Sequence, residues 1–167
     1  MKKFLAVVLC VVSILAFMTA CGNNSQNNQD NSSSGNNSVA NDGITAPKSD
    51  VEMQYMSVED AAGVLDTDGY LFLDVRKAED YDASHIPGAV SADMDAAKNG
   101  DFDAGVATMQ AATDGVDDTL IVICCSGKSY AQGTTNVLSA LGYDMSKVYT
   151  LEGGFTAWTE TYPDNVE

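Results

Sequence analysis

The stretch TLIVICCSGKS, residues 119–129, decides the fold. Its first six residues, TLIVIC, are continuous, apolar and rich in β-branched side chains. A strand with one wet face alternates polar and apolar residues, whereas an unbroken run is expected of a strand covered on both faces of a parallel sheet. CSGKS then interrupts the run with turn-forming residues. Beyond it, Ala131, Thr134, Leu138 and Leu141 fall at helical spacing, and Gly142 supplies a stop. The order is a buried strand, a tight loop of six residues (Cys125 to Tyr130) and a helix.

The same reading extends outward. YLFLDV at 70–75 follows the turn signal Asp68-Gly69 and reads as a second buried strand; KVYTL at 147–151 reads as a third. Ser57 is a good N-cap with Asp60 as capping partner, and Val58, Ala61, Ala62 and Leu65 mark the helix behind it. SHIPGAV at 84–90 holds a Pro-Gly turn. Residues 101–112 are weakly helical, with Phe102, Val106 and Met109 on one face, and GGFTAW at 153–158 opens a last short helix. Strands alternating with helices predict an α/β protein with a parallel sheet. No internal repeat is present.

The N-terminal fifty residues are of another kind. Lys2 and Lys3 precede FLAVVLCVVSILAF at 4–17, and small residues follow in MTAC at 18–21. This is the layout of a secretory signal. The apolar run is shorter than the roughly 20 residues that a spanning helix needs. MTAC resembles the bacterial lipobox, which implies lipidation of Cys21. In residues 22–41, fifteen of twenty are Asn, Ser or Gln. Such a stretch cannot bury a core and suits a flexible tether. The expected organisation is a lipoprotein-type signal peptide at 1–20, a lipidated Cys21 with a linker to 50, and a folded domain over 51–167. The implied location is the outer face of a bacterial cell membrane, held there by a lipid anchor.

Charge and cysteine usage narrow the function. Lys and Arg total 8 against 24 Asp and Glu, a net charge of −16. Such a surface repels phosphate backbones, so nucleic acid is not an expected partner. The four cysteines, Cys10, Cys21, Cys124 and Cys125, form no disulfide framework or C-x-x-C motif. With one histidine and no EF-hand spacing among the many aspartates, no metal site or cofactor is expected.

In an open α/β sheet, sites form at the carboxyl ends of the strands, and Cys124 sits at that end of the best strand. Backbone N–H groups of the following loop and the positive end of the next helix can converge there. A thiol so placed should have a lowered pKa, with Lys128 adding to the effect. The alternative is a small buried hydrophobe that closes the strand. Cys125 reads as a filler, a resolving thiol or one half of a strained vicinal disulfide.

Three motifs now combine. LDVRKAEDYDASHIPGAV at 73–90, CCSGKSYAQ at 124–132 and LEGGFTAW at 151–158 resemble, in order and separation, the signature segments of the rhodanese-like family. They cover essentially all of residues 54–160. The resemblance implies a small α/β domain with a five-stranded, mainly parallel sheet flanked by helices. It implies sulfurtransferase chemistry: a small donor such as thiosulfate gives its outer sulfur to Cys124, and the persulfide passes it to a thiol or a cyanide-like acceptor. Cys125, Ser126, Gly127, Lys128, Ser129 and Tyr130 would form the substrate-binding loop. Asp74 and Arg76 would hold the loops around it, with Arg76 a secondary substrate contact. His85 belongs to a turn motif by the same resemblance, and is not expected to act as a base.

One departure bears on substrate. The family's usual loop Arg falls at Ser129 here, and Lys128 lacks the bidentate fork of an Arg. A polysulfide or protein persulfide is therefore an alternative donor, and a non-catalytic rhodanese-like binding module is the alternative function. Phosphatase or arsenate-reductase chemistry would need an Arg six positions beyond the cysteine, where Tyr130 stands. Thiol redox exchange through Cys124 and Cys125 would need a strained vicinal disulfide.

Overall fold

At the centre of the sheet lies β4, Thr119–Ile123, the strand that opens the quoted stretch. The computed structural model describes residues 43–167. Cys21, the apolar segment and the linker to residue 42 lie outside the described residues, and residues 43–50 form no helix or strand. Flanking β4 are β2, Tyr70–Asp74, on one side and β5, Val148–Leu151, on the other. The short strands β1, Gln54–Met56, and β3, Val90–Ser91, form the edges. The sheet order is β1-β5-β4-β2-β3, and all four pairings are parallel. The expected α/β sheet of five strands is therefore observed, with no antiparallel strand.

Parallel strands need crossovers, and helices supply them. They are α1, Val58–Val64; α2, Ala78–Ala83; α3, Asp95–Lys98; α4, Phe102–Thr113; and α5, Ser129–Ala140, while α6, Gly154–Thr161, follows the last strand. A 3₁₀ turn at Met145–Lys147 leads into β5. The predicted cap is formed: the Asp60 N–H donates to Ser57 Oγ at 3.1 Å.

The unbroken apolar run of β4 is explained by two cores. Leu120, Val122 and Cys124 face one side, where they pack with Met109, Ala131 and Leu138. Ile121 and Ile123 face the other side, with Phe72, Ile86 and Trp158. Trp158 is fully buried, and its Nε1–H donates to the Asn165 carbonyl at 2.9 Å.

Helix α5 starts earlier than its apolar spacing suggests. The Gln132 N–H donates to the Lys128 carbonyl at 2.8 Å, so Ser129 and Tyr130 already lie in the first turn. Tyr130 is buried, and its hydroxyl donates to Asp95 Oδ1 at 2.6 Å. This joins the first turn of α5 to α3, and Lys98 Nζ lies 4.8 Å from the centre of the Tyr130 ring.

The hydroxyl of Tyr130 is the first cause that holds the Asp95 carboxyl below its ordinary range, and burial pushes the Tyr130 phenol up. A depressed carboxyl stabilises the fold above its unfolded pKa and loses that contribution as pH falls through its folded value. Tyr130→Phe should therefore unfold at lower urea than the parent at pH 7. The gap should narrow below about pH 4, where carboxyls begin to protonate. Urea titrations at pH 7 and across the acid range check this; a gap that does not change with pH would refute it.

Candidate functional site

The carboxyl edge of the sheet gathers three loops. The Asp74 and Ile123 ends of β2 and β4 are paired, and the Val75 N–H donates to the Ile123 carbonyl at 2.9 Å. Arg76 thus emerges beside Cys124, while β5 ends at Leu151 on the other side. Cys124 is 2% exposed, and its Sγ accepts from the Lys128 N–H at 3.3 Å. The first turn of α5 begins at the next residue, so its positive end lies at the sulfur.

Helix α6 shapes the loop from the opposite side. The Phe155 N–H donates to the Cys124 carbonyl at 2.7 Å. The Cys125 carbonyl accepts from the Thr156 N–H at 3.1 Å and from Thr156 Oγ1 at 2.8 Å. This closeness requires glycine. Gly154 has φ +64°, and a Cβ there would overlap the Cys124 carbonyl oxygen and the Ser126 nitrogen. Gly127 has φ +69° and would press a Cβ against the Leu151 carbonyl at 3.0 Å.

Arg76 and Asp74 form a buried fork. Nε of Arg76 donates to Asp74 Oδ1 at 3.0 Å, and NH2 donates to Oδ2 at 2.7 Å. NH2 also donates to the Ser84 carbonyl at 2.7 Å, and the guanidinium lies 3.7 Å above the centre of the Phe155 ring. Asp74 is fully buried and Arg76 is 5% exposed. The structure thus gives the guanidinium three internal partners, and no free fork is turned outward to clamp a substrate.

The sequence-derived site residues separate into groups. The Lys128 N–H meets the Cys124 sulfur, and Gly127 packs against the backbone at Leu151 and Gly153. Cys125, Ser126, Lys128 and Ser129 are exposed at the rim. Tyr130 leaves the loop for the core, so the rim ends at Ser129, one residue earlier than its spacing suggested. Partial burial pushes the Cys125 thiol up, the charge of Cys124 and of Asp80 pushes it further, and Arg76 opposes them. It is accordingly protonated at neutral pH and a weak nucleophile. His85 stacks on Tyr81 at 3.9 Å between ring centres and bonds through Nδ1 to the Tyr81 carbonyl at 3.0 Å.

Sequence reasoning missed the three α6 donors, two N–H groups and the Thr156 hydroxyl, although GGFT just after a strand was the available signal. The sequence also gives no sign of the contacts that Asp93 and Asp95 make. In the structure Asp93 accepts from the Ala78 and Asp95 N–H groups, which fastens α2 and α3. Among the described residues, no group of three or more His, Cys, Asp or Glu is placed to hold a metal ion. A hollow of about 700 Å³ near Tyr143 and Gln110 includes no residue of the Cys124 loop.

Comparison with known proteins places this geometry. The profile of the rhodanese-like domain matches residues 57–161. A thiosulfate sulfurtransferase GlpE of Pseudoalteromonas translucida is 31% identical over 114 residues, 68% of this chain and 96% of that one. A thiosulfate sulfurtransferase GlpE of Pseudomonas savastanoi is 34% identical over 103 residues, 62% and 85% of the two chains. Among solved structures, the rhodanese-like domain of an Anabaena protein superposes with a TM-score of 0.52 at 19% identity, covering 70% of this chain and 80% of that one. The As-Sb reductase of Leishmania major superposes with a TM-score of 0.50 at 17% identity, over 68% and 81%. These two likenesses show a shared fold and do not choose between chemistries.

Two substitutions test the frame. Arg76→Ala strands the buried Asp74 carboxylate and should cost about 3–5 kcal/mol of stability. Gly154→Ala forces α6 off the loop and should cost about 1–3 kcal/mol, the range for overpacking. Denaturant unfolding measures both; near-parental midpoints would contradict the roles given to the ion pair and the close approach.

Proposed function

We propose a function from one premise: the chain belongs to the rhodanese-like family. Its reading is a sulfurtransferase in which Cys124 carries sulfane sulfur. The observation that supports it best is the Cys124 Sγ at the end of β4, within reach of the Lys128 N–H and the start of α5. In the proposed cycle, the Cys124 thiolate attacks the outer sulfur of the donor. With thiosulfate, the sulfur–sulfur bond breaks and sulfite leaves with its electron pair. Cys124 then holds a persulfide anion, which backbone N–H groups stabilise as they would another small anion. A thiol or cyanide attacks the terminal sulfur, and Sγ takes back its electron pair.

Thiosulfate is the donor to try first, because two relatives bear it in their names. Ser129 stands where the family pattern has Arg, and Arg76 is spent on Asp74, Ser84 and Phe155, so anion capture rests on backbone N–H groups and Lys128. The same two facts favour the second reading, a binding module that has lost turnover.

We also propose that the chain is exported and held on the outer face of the cell membrane through a lipid on Cys21. Its support is the sequence MTAC at 18–21 and the Asn- and Ser-rich stretch behind it.

The full chain should form thiocyanate from thiosulfate and cyanide, and Cys124→Ser should abolish this. Ser129→Arg should lower the KM for thiosulfate by about tenfold or more, since charge-assisted hydrogen bonds are worth about 1.5–3 kcal/mol and about 1.4 kcal/mol is tenfold. If thiosulfate and polysulfide both leave Cys124 unmodified, the binding-module reading replaces this one. For the anchor, Cys21→Ser should move the protein from the membrane fraction to the medium, and mass spectrometry should find a diacylglyceryl group on Cys21. An unmodified Cys21 would refute the anchor.

A further inference from the structure

Cys124 and Cys125 are adjacent free thiols, one buried and one exposed. In a sulfur carrier this pairing is a hazard. The Cys125 thiol could attack Sγ of the Cys124 persulfide. A Cys124–Cys125 disulfide would form, the persulfide bond would break, and the terminal sulfur would leave as hydrosulfide. Stored sulfur would be lost without reaching an acceptor, and an external thiol would be needed to reset the site.

Ring closure has a geometric requirement. Adjacent Cα atoms lie about 3.8 Å apart across a trans peptide, below the roughly 4.4–6.8 Å that disulfides span. The 124–125 peptide and its neighbours must therefore twist before the sulfurs can join. In this structure both carbonyls of that segment are anchored to α6. The Phe155 N–H holds the Cys124 carbonyl, which belongs to the 124–125 peptide itself. Thr156 holds the next carbonyl twice, through its N–H and its Oγ1. Twisting the segment would break these bonds.

We propose that Thr156 is a positioning residue that locks the Cys124–Cys125 segment against vicinal disulfide formation and so preserves sulfur on Cys124 for transfer. Its hydroxyl is the one side-chain contribution to the lock, because the other two donors are backbone N–H groups. The inference rests on the sulfur-carrier reading for its purpose, but the lock itself acts on the two thiols whether or not sulfur is loaded. The protonated state of Cys125 works in the same direction.

The test uses the full chain, loaded with polysulfide and freed of excess, with the 124–125 peptide followed by mass spectrometry and released sulfide measured. The parent and Cys125→Ser should keep their Cys124 persulfide equally long. Thr156→Val should lose it about three- to tenfold faster, the size of one hydrogen bond, with sulfide release and loss of two hydrogens in the peptide. Thr156→Ser should behave as the parent, and adding Cys125→Ser to Thr156→Val should restore the lifetime. A parent that discharges much faster than Cys125→Ser, or a Thr156→Val no faster than the parent, overturns the lock. If Thr156→Val does not fold, Thr156→Ala, which also lacks the hydroxyl, takes its place in the comparison. If polysulfide never loads Cys124, the carrier reading fails, and diamide oxidation then judges the lock: Thr156→Val should close the 124–125 disulfide faster than the parent, and equal rates overturn it.

Discussion

The carboxyl edge of the sheet depends on where the peptide carbonyls of Cys124 and Cys125 find their hydrogen bonds. A strand that ends at the edge of a parallel sheet leaves such groups without a ladder partner, and at the buried Cys124 a carbonyl without a donor would cost about 1–3 kcal/mol. Helix α6 has the converse need, because the first N–H groups of any helix lack internal acceptors. The two needs cancel when the start of α6 is set against the loop. That requires the backbones to come closer than a Cβ allows, and Gly154 provides the room. With the carbonyls drawn toward α6, the Lys128 N–H on the other side of the turn is free to meet Sγ of Cys124.

The buried ion pair supports this arrangement from beneath. Asp74 is the last residue of β2, and its carboxylate also accepts the Arg76 N–H at 3.1 Å, so the fork and its own backbone are fixed together. The guanidinium reaches the Ser84 carbonyl, at the end of α2, and the ring of Phe155. Phe155 in turn donates its N–H to Cys124. One charged side chain therefore ties β2, α2 and α6 to the cysteine loop. Its desolvation is offset only while all of these partners are present, which favours a structural over a substrate-binding use of Arg76.

Much of this was legible in the sequence, and the reasons are physical. TLIVIC announced a strand buried on both faces because two cores demand unbroken apolarity. YLFLDV and KVYTL repeated the signal. The strands β1 and β3 gave none: three and two residues are too few for a pattern, and their place is set by pairing to β5 and β2. The early start of α5 was hidden for a related reason. Ser129 is polar and Tyr130 looks like a rim residue, yet an aspartate 35 positions away draws the phenol inward. Asp93 and Asp95 were hidden in the same way, since a capping carboxylate and a solvated one are identical letters. The position of Cys124 followed from its strand. The hold of α6 on its carbonyl did not, because only the fold brings residues 124 and 155 together.

Charge can be weighed against the proposed chemistry in the same terms. A chain at −16 repels an anionic sulfur donor at long range. At physiological ionic strength, however, charges beyond roughly 8 Å are largely screened. Most of the carboxylates then affect encounter and solubility more than the bound state. What matters at the sulfur is local: Lys128 at the rim, the backbone N–H groups, the positive end of α5, and the opposing carboxylate of Asp80 near Cys125. Within that radius the site leans on dipoles more than on formal charge. Dipoles aimed at one atom, as the Lys128 N–H is aimed at Sγ, stabilise a small anion whose charge sits on that atom, which in a thiolate is Sγ and in a persulfide is the next sulfur out. They do less for a bulky dianion that needs a fork to orient it. The geometry is therefore better matched to a small charge at Sγ than to gripping a bulky anion.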